Sequence, residues 1–350
     1  MPGFEEVFGR PPPDVTLTGS APTVVAVVHD EALRLPHFLD HHRAVGVTRF
    51  LVIDDRSTDG TAALLDAAPD VTRIPARGAF RDLKETWIQT VVDSFLDGRW
   101  ALVLDADELL VYPGWPERSL PALVAEMERH GEEALFASLV DMYGDGSLSE
   151  LGYRPGEPFL ASCPYFDDEG YMLLSRALMH RGDLTPEFYI VGGTRQRLFF
   201  EKRPATARDK ALIARFFPLE RRPEPGLAGR AGQFLAWRWL RRVWISSRPA
   251  MSKIPLWRAK AGDRLSSGQH SIARRLRLAD EWGALLHFKY LQDFEARVAE
   301  GDVGGQHTSH YRLYHRKIAS GELPPLFHDG SRRFEGVSSL IEAGLVRERG

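Results

Sequence analysis

The chain contains the stretch Trp100-Ala-Leu-Val-Leu-Asp-Ala-Asp-Glu-Leu-Leu110, in which an apolar run leads directly into three acidic residues. Five consecutive apolar residues are typical of a strand buried within a parallel sheet. Asp105 and Asp107 follow this run, and residues two positions apart on extended backbone point the same way. Ligands of such sheets collect where the strands end. The stretch therefore predicts two carboxylates at a sheet edge, where both can face one divalent ion.

An Asp-x-Asp pair after a strand has two other interpretations. Phosphatases and phosphomutases of the haloacid dehalogenase type also use it, but there a small pair such as Gly-Thr typically follows and the motif lies near the N-terminus. In this chain Glu108 and Leu109 follow, and the pair lies far from Met1. Solvated loop acids are the second alternative, because charged residues are common on protein surfaces.

Other parts of the N-terminal region repeat the same arrangement. Residues 23–28 and 50–53 are further apolar runs of strand length, and Val71-Thr-Arg-Ile74 is also predicted to be a strand. Apolar residues at helical spacing separate these runs and recur at residues 82–95. The first run is followed by Asp30 and Glu31, and the second by Asp54 and Asp55. This alternation predicts an α/β fold, with a mostly parallel sheet flanked by helices and a nucleotide site along one edge.

The expected nucleotide site has no glycine-rich phosphate loop. No Gly-x-Gly-x-x-Gly block follows the first strand, and no Gly-Lys-Ser/Thr loop occurs in the chain. Neither a dinucleotide fingerprint nor a P-loop therefore holds the phosphates. A divalent metal on Asp105 and Asp107 is the expected substitute, since hard cations bind both carboxylate and phosphate oxygens.

Several separate blocks of the sequence match one known pattern. They are Val27-Val-His-Asp-Glu-Ala32, Pro36-His-Phe-Leu39 with His42, Phe50-Leu-Val-Ile-Asp-Asp-Arg-Ser-Thr-Asp-Gly60, Leu102-Val-Leu-Asp-Ala-Asp-Glu-Leu-Leu110, Gly192-Gly-Thr-Arg-Gln-Arg-Leu-Phe199, Lys253-Ile-Pro-Leu256 and Leu285-Leu-His-Phe-Lys289. With these blocks the chain resembles a glycosyltransferase of the GT-A fold, in the family 2-like branch that borders family 92. Most members have Asn at the position of Asp30 and at that of Asp55, so base recognition near Asp55 is expected to differ.

The resemblance implies roles for individual residues. The implied nucleoside contacts are Asp30, Glu31 and Asp55, and the implied ligands of Mn²⁺ or Mg²⁺ are Asp105, Asp107 and His287. A hard cation held by carboxylates stabilises the charge that develops on a departing nucleoside diphosphate. His287 has an alternative interpretation as a hydrogen-bonded residue of a core strand.

Three basic residues of the second half are candidate diphosphate ligands. Arg195 and Arg197 alternate to one face of a segment that we expect to be extended, and Lys289 lies two residues after His287. Residues 1–150 hold 26 acidic against 12 basic residues, whereas residues 151–350 hold 22 against 33. This asymmetry suits a donor with charged phosphates, although ordinary surface charge explains any single arginine equally well.

The catalytic base is predicted among three neighbouring acids. The stretch Tyr165-Phe-Asp-Asp-Glu-Gly-Tyr171 places Asp167, Asp168 and Glu169 between aromatic residues that can stack on a sugar. An inverting transferase needs one such group within hydrogen-bond reach of the acceptor hydroxyl. A solvated acidic turn is the alternative interpretation.

Length and composition predict a globule of one large domain or of one and a half domains, because 350 residues with 43% hydrophobic content can bury a substantial core. The expected divisions are a flexible arm at 1–21, a glycosyltransferase domain at 22–295 with a nucleotide-binding half at 22–112 and an acceptor and phosphate half at 113–295, and a helical C-terminal extension at 296–350. The single cysteine, Cys163, excludes an internal disulfide.

Targeting and partner predictions rest on hydropathy and charge. The Met1 end lacks a signal-peptide pattern and no apolar run reaches about 18 residues, so a soluble cytoplasmic protein is expected. Residues 233–248 combine large aromatic residues with arginines at helical spacing. One interpretation is peripheral contact with the inner face of the membrane, and the other is a helix packed on the sheet with its arginines outside. The net charge of −3 and the absence of a binding motif disfavour a nucleic-acid partner.

The sequence and the resemblance together predict a metal-dependent glycosyltransferase. It would transfer a sugar from a nucleoside-diphosphate sugar, with UDP as the expected nucleotide, to a hydroxyl of a glycan or lipid-linked glycan, with inversion. The alternatives are a non-catalytic sugar-nucleotide-binding protein and a metal-dependent phosphohydrolase.

Overall fold

The computed structural model describes residues 2–146, 151–175, 184–220, 226–266, 270–304, 309–321 and 323–350. The strands are β1 Thr23–Val28, β2 Phe50–Asp54, β3 Val71–Pro75, β4 Trp100–Val103, β5 Glu108–Val111, β6 Ala134–Asp141, β7 Tyr165–Asp167, β8 Met172–Ser175, β9 Phe188–Val191, β10 Ser252–Arg258, β11 Leu265–Ser266, β12 Ser271–Ile272, β13 Leu278–His287 and β14 Ser331–Arg333. The helices are α1 Phe4–Phe8, α2 Leu35–Ala44, α3 Thr61–Ala67, α4 Phe80–Phe95, α5 Leu120–Arg129, α6 Phe159–Ser162, α7 Gly193–Arg195, α8 Ala207–Phe216, α9 Leu227–Val243, α10 Phe294–Gly304, α11 Ser309–Ala319 and α12 Val337–Glu342, and a π-helical turn, Gln196–Phe200, follows α7.

The largest sheet has eight strands in the order β3-β2-β1-β4-β10-β6-β13-β5. Strands β3, β2, β1 and β4 pair in parallel, as do β6 and β13. Strand β10 runs antiparallel to both β4 and β6, so those two point the same way, and β5 runs antiparallel to β13. Six of the eight strands therefore share one direction. The predicted α/β class, with a mostly parallel sheet flanked by helices, is confirmed.

The hydrophobic core lies on the central strands and the helices beside them. All six residues of β1 are buried, which explains why that strand has a continuous apolar sequence. Helix α4 packs on β1 and β2 through a face that includes Trp87 and Val91, both fully buried and one helical turn apart. The four strands expected in the first hundred residues occur where the apolar runs predicted them.

The strand directions bring polar residues to one side of the sheet. Strands β1, β2, β4, β6 and β13 are parallel, so all five end at the same side, which we call the carboxyl edge. Strands β5 and β10 run the other way and begin there. The charged residues at or shortly beyond these strand ends include Asp30, Glu31, Asp54, Asp55, Asp105, Asp107, Glu108, Asp141, Lys253 and His287. One edge therefore combines acids with basic side chains from segments that are distant in the sequence.

The segment of Arg195 and Arg197 is helical, so the expectation that it is extended was wrong. Gly192 has φ +113°, and a Cβ atom there would lie 2.0 Å from the carbonyl oxygen of Gly170. Gly193 also has a positive φ, of +66°, and begins α7. These glycines let the chain turn tightly against the Gly170 backbone. The spacing of Arg195 and Arg197 alone does not indicate this turn.

Both ends of the chain contact the main body. Residues 1–21, predicted as a flexible arm, include α1, whose Phe4 and Phe8 are buried, and the Phe4 ring lies 5.6 Å from that of Phe95. At the other end Arg349 donates to both carboxylate oxygens of Glu132, at 2.8 and 2.7 Å. The C-terminal extension contains α11, α12 and β14, which pairs antiparallel with β7.

A smaller hydrophobic cluster lies beside the main core. It joins the β8–β9 hairpin to α8 and α9 through buried residues that include Met172, Ile213, Phe217, Leu240 and Trp244. Helix α9 thus packs one face on this small cluster, whereas membrane contact of this segment stays a prediction. Within the described residues, no helix is long and apolar enough to cross a membrane.

Gly192→Ala is expected to lower the free energy of unfolding by at least about 2 kcal/mol, because the new Cβ atom meets the Gly170 backbone and the left-handed φ is strained. Urea unfolding measures the change. Gly152→Ala is the matched control, since a Cβ atom there has no neighbour within 4 Å, and we expect a change below about 0.5 kcal/mol. Equal effects of the two substitutions would contradict this account of the turn.

Candidate functional site

Asp107 and His287 meet at the carboxyl edge. The Oδ2 atom of Asp107 lies 3.2 Å from Nε2 of His287. The amide of Phe288 also donates to the carbonyl of Asp107 at 2.7 Å, which fixes the two backbones relative to each other. Burial by itself would lower the pKa of His287, but the carboxylates of Asp107 and Asp141 outweigh it and raise that pKa to about 9.

Asp141 is the residue that orients His287, and the sequence analysis did not single it out. It is the last residue of β6 and lies opposite His287 in the parallel β6–β13 pairing. Its Oδ1 atom is 2.6 Å from Nδ1 of His287, so the ring directs Nε2 towards Asp107. Asp141 is fully buried. Residues 134–140 are mainly apolar and are followed by an acid, as residues 100–104 are followed by Asp105. The same sequence pattern could therefore have indicated Asp141.

Arg195 and Arg197, the predicted diphosphate ligands, each bind a carboxylate of the protein. Arg195 donates to Asp141 at 2.6 and 3.1 Å, and its Nη2 atom also lies 3.2 Å from Nδ1 of His287. Arg197 donates to Asp167 at 2.8 and 3.2 Å. Arg195 therefore belongs to the carboxyl edge while Arg197 anchors a neighbouring loop. Their contact with a diphosphate stays a prediction.

Asp105 is bonded to two lysines. Its carboxylate oxygens accept hydrogen bonds from Lys84 and Lys253, each at 2.8 Å, and Lys253 also lies 2.6 Å from Glu108. Burial opposes ionisation of Asp105, but Lys253 and Lys84 together hold its pKa well below the usual range. The Lys-x-Pro-Leu block pointed to Lys253, whereas nothing in the sequence pointed to Lys84.

The predicted nucleoside residues lie at the ends of β1 and β2. Glu31 accepts hydrogen bonds from Arg297 at 2.5 Å and from Arg34 at 3.4 Å. Asp30 adopts a left-handed φ of +51° and accepts the amide of Thr58 at 2.6 Å. Such a backbone conformation is uncommon for a residue with a side chain and often marks a functional turn.

Asp55 is the third predicted nucleoside residue and is almost fully buried. Its carboxylate accepts from Nε of Arg56 at 2.8 Å, and its carbonyl accepts from Nδ1 of His29 at 2.6 Å. The hydrogen bond between His29 and the Asp55 carbonyl joins the end of β1 to the end of β2. Nucleoside contact by Asp30, Glu31 and Asp55 stays a prediction.

Two arginines that the sequence analysis missed approach the site from opposite ends of the chain. Arg34 is only 2% exposed and forms a bidentate ion pair with Asp293 at 2.7 and 2.6 Å. Burial would raise the pKa of Asp107, but His287, Arg34 and Arg297 hold it well below the usual range. The arginines thus add positive charge beside Asp107. No local motif marks them, because their partners are remote in sequence.

Lys289, the third candidate phosphate ligand, is half-buried near the same edge. Its Nζ atom lies 4.5 Å from the ring centroid of Tyr314. Burial, assisted by the charge of Arg195, lowers the pKa of Lys289 to about 7. Phosphate binding by Lys289 stays a prediction.

The three candidate bases differ in their surroundings. Asp167 is buried and bonded to Arg197, Tyr143 and His328. Glu169 is exposed and paired with a lysine, Lys210. Asp168 lies 3.9 Å from Arg332, and burial raises its pKa. Asp168 is thus less tightly bonded than Asp167 and less exposed than Glu169, and a catalytic role for any of the three stays a prediction.

Asp107 and His287 have the spacing of two ligands of one ion. Adjacent ligands of an octahedral ion with bonds of about 2.1 Å lie about 3 Å apart, close to the 3.2 Å measured between Oδ2 and Nε2. A carboxylate on the far nitrogen of a metal-binding histidine, the position Asp141 occupies, is a common feature of metal sites. In the ranges that the structure describes, no three His, Cys, Asp or Glu side chains form a metal-binding group. Metal binding by Asp105, Asp107 and His287 therefore stays a prediction.

Comparisons with known proteins give only weak similarities. No protein-family model matches the chain, and no curated protein matches it. A UDP-glucose pyrophosphorylase from Acinetobacter baumanii is 11% identical with a TM-score of 0.24, over 38% of this chain and 60% of that chain. An apo UDP-glucose pyrophosphorylase is 9% identical with a TM-score of 0.26, over 67% and 93%. Mannose-1-phosphate geranyltransferase from Thermus thermophilus is 12% identical with a TM-score of 0.24, over 88% and 69%. The chain thus covers less than two thirds of the first structure, and similarities of this size support no conclusion about activity.

Asp141→Leu is expected to lower the free energy of unfolding by about 3–5 kcal/mol, because it leaves the largely buried guanidinium of Arg195 without its carboxylate. The double variant Asp141→Leu/Arg195→Met removes both charges and should be more stable than Asp141→Leu alone. Urea unfolding of Asp141→Leu, of Arg195→Met and of the double variant measures the coupling energy between Asp141 and Arg195. Glu169→Gln, which breaks an exposed ion pair, is the control and should cost less than about 1 kcal/mol. Additive losses at Asp141 and Arg195 would show that the two do not depend on each other.

Proposed function

We propose that the protein is a metal-dependent glycosyltransferase that uses a nucleoside-diphosphate sugar. One observation carries this proposal: the line of contacts Asp107–His287–Asp141 at the carboxyl edge of a mostly parallel sheet. Ligands of open α/β sheets bind at that edge. The acids suit a divalent cation, and the basic side chains around them suit an anionic diphosphate.

Asp107 and His287 are the proposed ligands of Mn²⁺ or Mg²⁺. When bound, the ion would stabilise negative charge on the nucleoside diphosphate that leaves. Asp141 orients the His287 ring so that Nε2 faces Asp107, and metal binding at Nε2 would release the proton that the raised pKa of His287 favours there. Asp105 was also predicted as a ligand, and this role requires it to give up a hydrogen bond from Lys84 or Lys253.

The remaining residues of the edge have proposed roles towards the donor. Arg34 and Arg297 supply positive charge beside the phosphates, Lys289 is a proposed phosphate contact, and Arg195 supports the Asp141 carboxylate. Asp30, Glu31 and Asp55 are the proposed nucleoside contacts, with UDP as the proposed nucleotide. Binding of a charged donor is favoured because these cations are already positioned before the donor arrives.

Asp168 is the proposed base towards the acceptor. It would accept the proton of an acceptor hydroxyl while the sugar is transferred in a single displacement with inversion. The acceptor is proposed to be a glycan or a lipid-linked glycan. Asp167 supports this loop through Arg197, and Glu169 lies on its exposed side.

UDP-sugars are expected to raise the unfolding temperature in the presence of Mn²⁺, and Asp107→Asn should abolish the part of the shift that depends on metal. A ligand at a hundredfold excess over its dissociation constant stabilises by about 2.7 kcal/mol. Thermal unfolding with a panel of nucleotide sugars, with and without Mn²⁺, measures this. Asp14→Asn removes an exposed carboxylate from the N-terminal region and should leave the shift unchanged. A full metal response in Asp107→Asn would refute the assignment.

The reaction products distinguish a glycosyltransferase from the two alternative functions, a metal-dependent phosphohydrolase and a sugar-nucleotide-binding protein. With an acceptor mixture, a glycosyltransferase releases intact nucleoside diphosphate, and Asp168→Asn should reduce that release by at least about a hundredfold. A metal-dependent phosphohydrolase would release inorganic phosphate instead. A binding protein would show the thermal shift with no turnover.

A further inference from the structure

Helix α9 exposes large apolar side chains to solvent. Leu227 is 86% exposed, Leu235 64% and Phe234 57%, whereas the residues that α9 buries are Ala236 and Leu240. An amphipathic helix of a globular protein normally buries its largest apolar residues. The outer face of α9 therefore carries apolar surface that the fold itself does not use.

The same outer face is basic. Arg238, Arg241 and Arg242 are exposed, and the helix contains no acidic residue. At about 100° per residue, these arginines and the exposed Leu227, Phe234 and Leu235 all fall within an arc of about 120°. The apolar residues occupy the first half of this face and the arginines the second half. Apolar and cationic groups thus point in one direction.

Helix α8 extends the positive surface. It packs against α9, and the guanidinium carbon of its Arg208 lies 4.2 Å from the ring centroid of Trp239. Arg215 on the same helix is exposed. Asp209, the acidic residue of α8, is buried and bonded to Arg203, so it does not offset the charge of the outer face.

We propose that the outer face of α9 docks on an anionic phospholipid bilayer. Interfacial helices insert apolar side chains among the headgroups and place arginines against anionic lipids. Leu227, Phe234 and Leu235 would enter the headgroup region, with Arg238, Arg241 and Arg242 beside lipid phosphates. The positive charge of this face is complementary to such a surface, although the whole chain carries a net charge of −3. The inference does not depend on the proposed reaction.

Co-flotation with lipid vesicles, without metal or nucleotide, tests the proposal. The protein should bind vesicles made of equal parts of phosphatidylcholine and phosphatidylglycerol at least about tenfold more strongly than vesicles of phosphatidylcholine alone. The triple variant Arg238→Gln/Arg241→Gln/Arg242→Gln should bind roughly 100-fold more weakly, from about a fivefold loss for each arginine. Phe234→Ser/Leu235→Ser should weaken binding by at least about tenfold.

The matched control is Arg81→Gln/Arg129→Gln/Arg154→Gln, which removes three exposed arginines elsewhere and changes the net charge equally. Its vesicle binding should stay close to that of the parent protein. Equal binding to neutral and anionic vesicles, or equal losses in both triple variants, would overturn the proposal. A dimer that Phe234→Ser/Leu235→Ser dissociates, with no vesicle binding by the parent protein, would also overturn it, because the face would then join two copies of the chain. Circular dichroism and urea unfolding establish that each variant is folded.

Discussion

The parallel pairing of β6 with β13 is the constraint on which the carboxyl edge depends. It sets Asp141 opposite His287, and the imidazole consequently lies between two carboxylates. A one-residue slip in this register would turn the side chains at the strand ends to the other face of the sheet. The site is therefore built on two rigid strands, which position side chains more accurately than loops do.

Charge compensation shapes the rest of the edge. Asp105 is paired with Lys84 and Lys253, and Glu31 with Arg34 and Arg297, so these clustered acids have cationic partners. Buried charges of one sign would otherwise be very costly. The same cations suit a diphosphate, so the groups that make the acidic cluster tolerable in the folded chain are also those that the proposed donor would use.

Much of the fold follows from local sequence. The apolar runs at β1, β2 and β4 are continuous and end in polar residues, so their strands could be predicted closely. The partners of these residues could not, because they depend on contacts between distant segments: Lys84 has no motif, and Arg34 finds Asp293 far along the chain. For the segment of Arg195, the local sequence led to a wrong prediction. Its alternation favoured an extended strand, but the positive φ angles of Gly192 and Gly193 start a helix there.

The bond between Arg297 and Glu31 joins the first turn of the sheet to a helix near the other end of the chain. A ribosome makes Glu31, Asp105 and Asp107 well before it makes Arg297 or His287. Until those later residues emerge, Glu31 lacks the charge of Arg297 and Asp107 lacks that of His287. We therefore expect the carboxyl edge to take its final form only after the segment of His287 and Arg297 has been made.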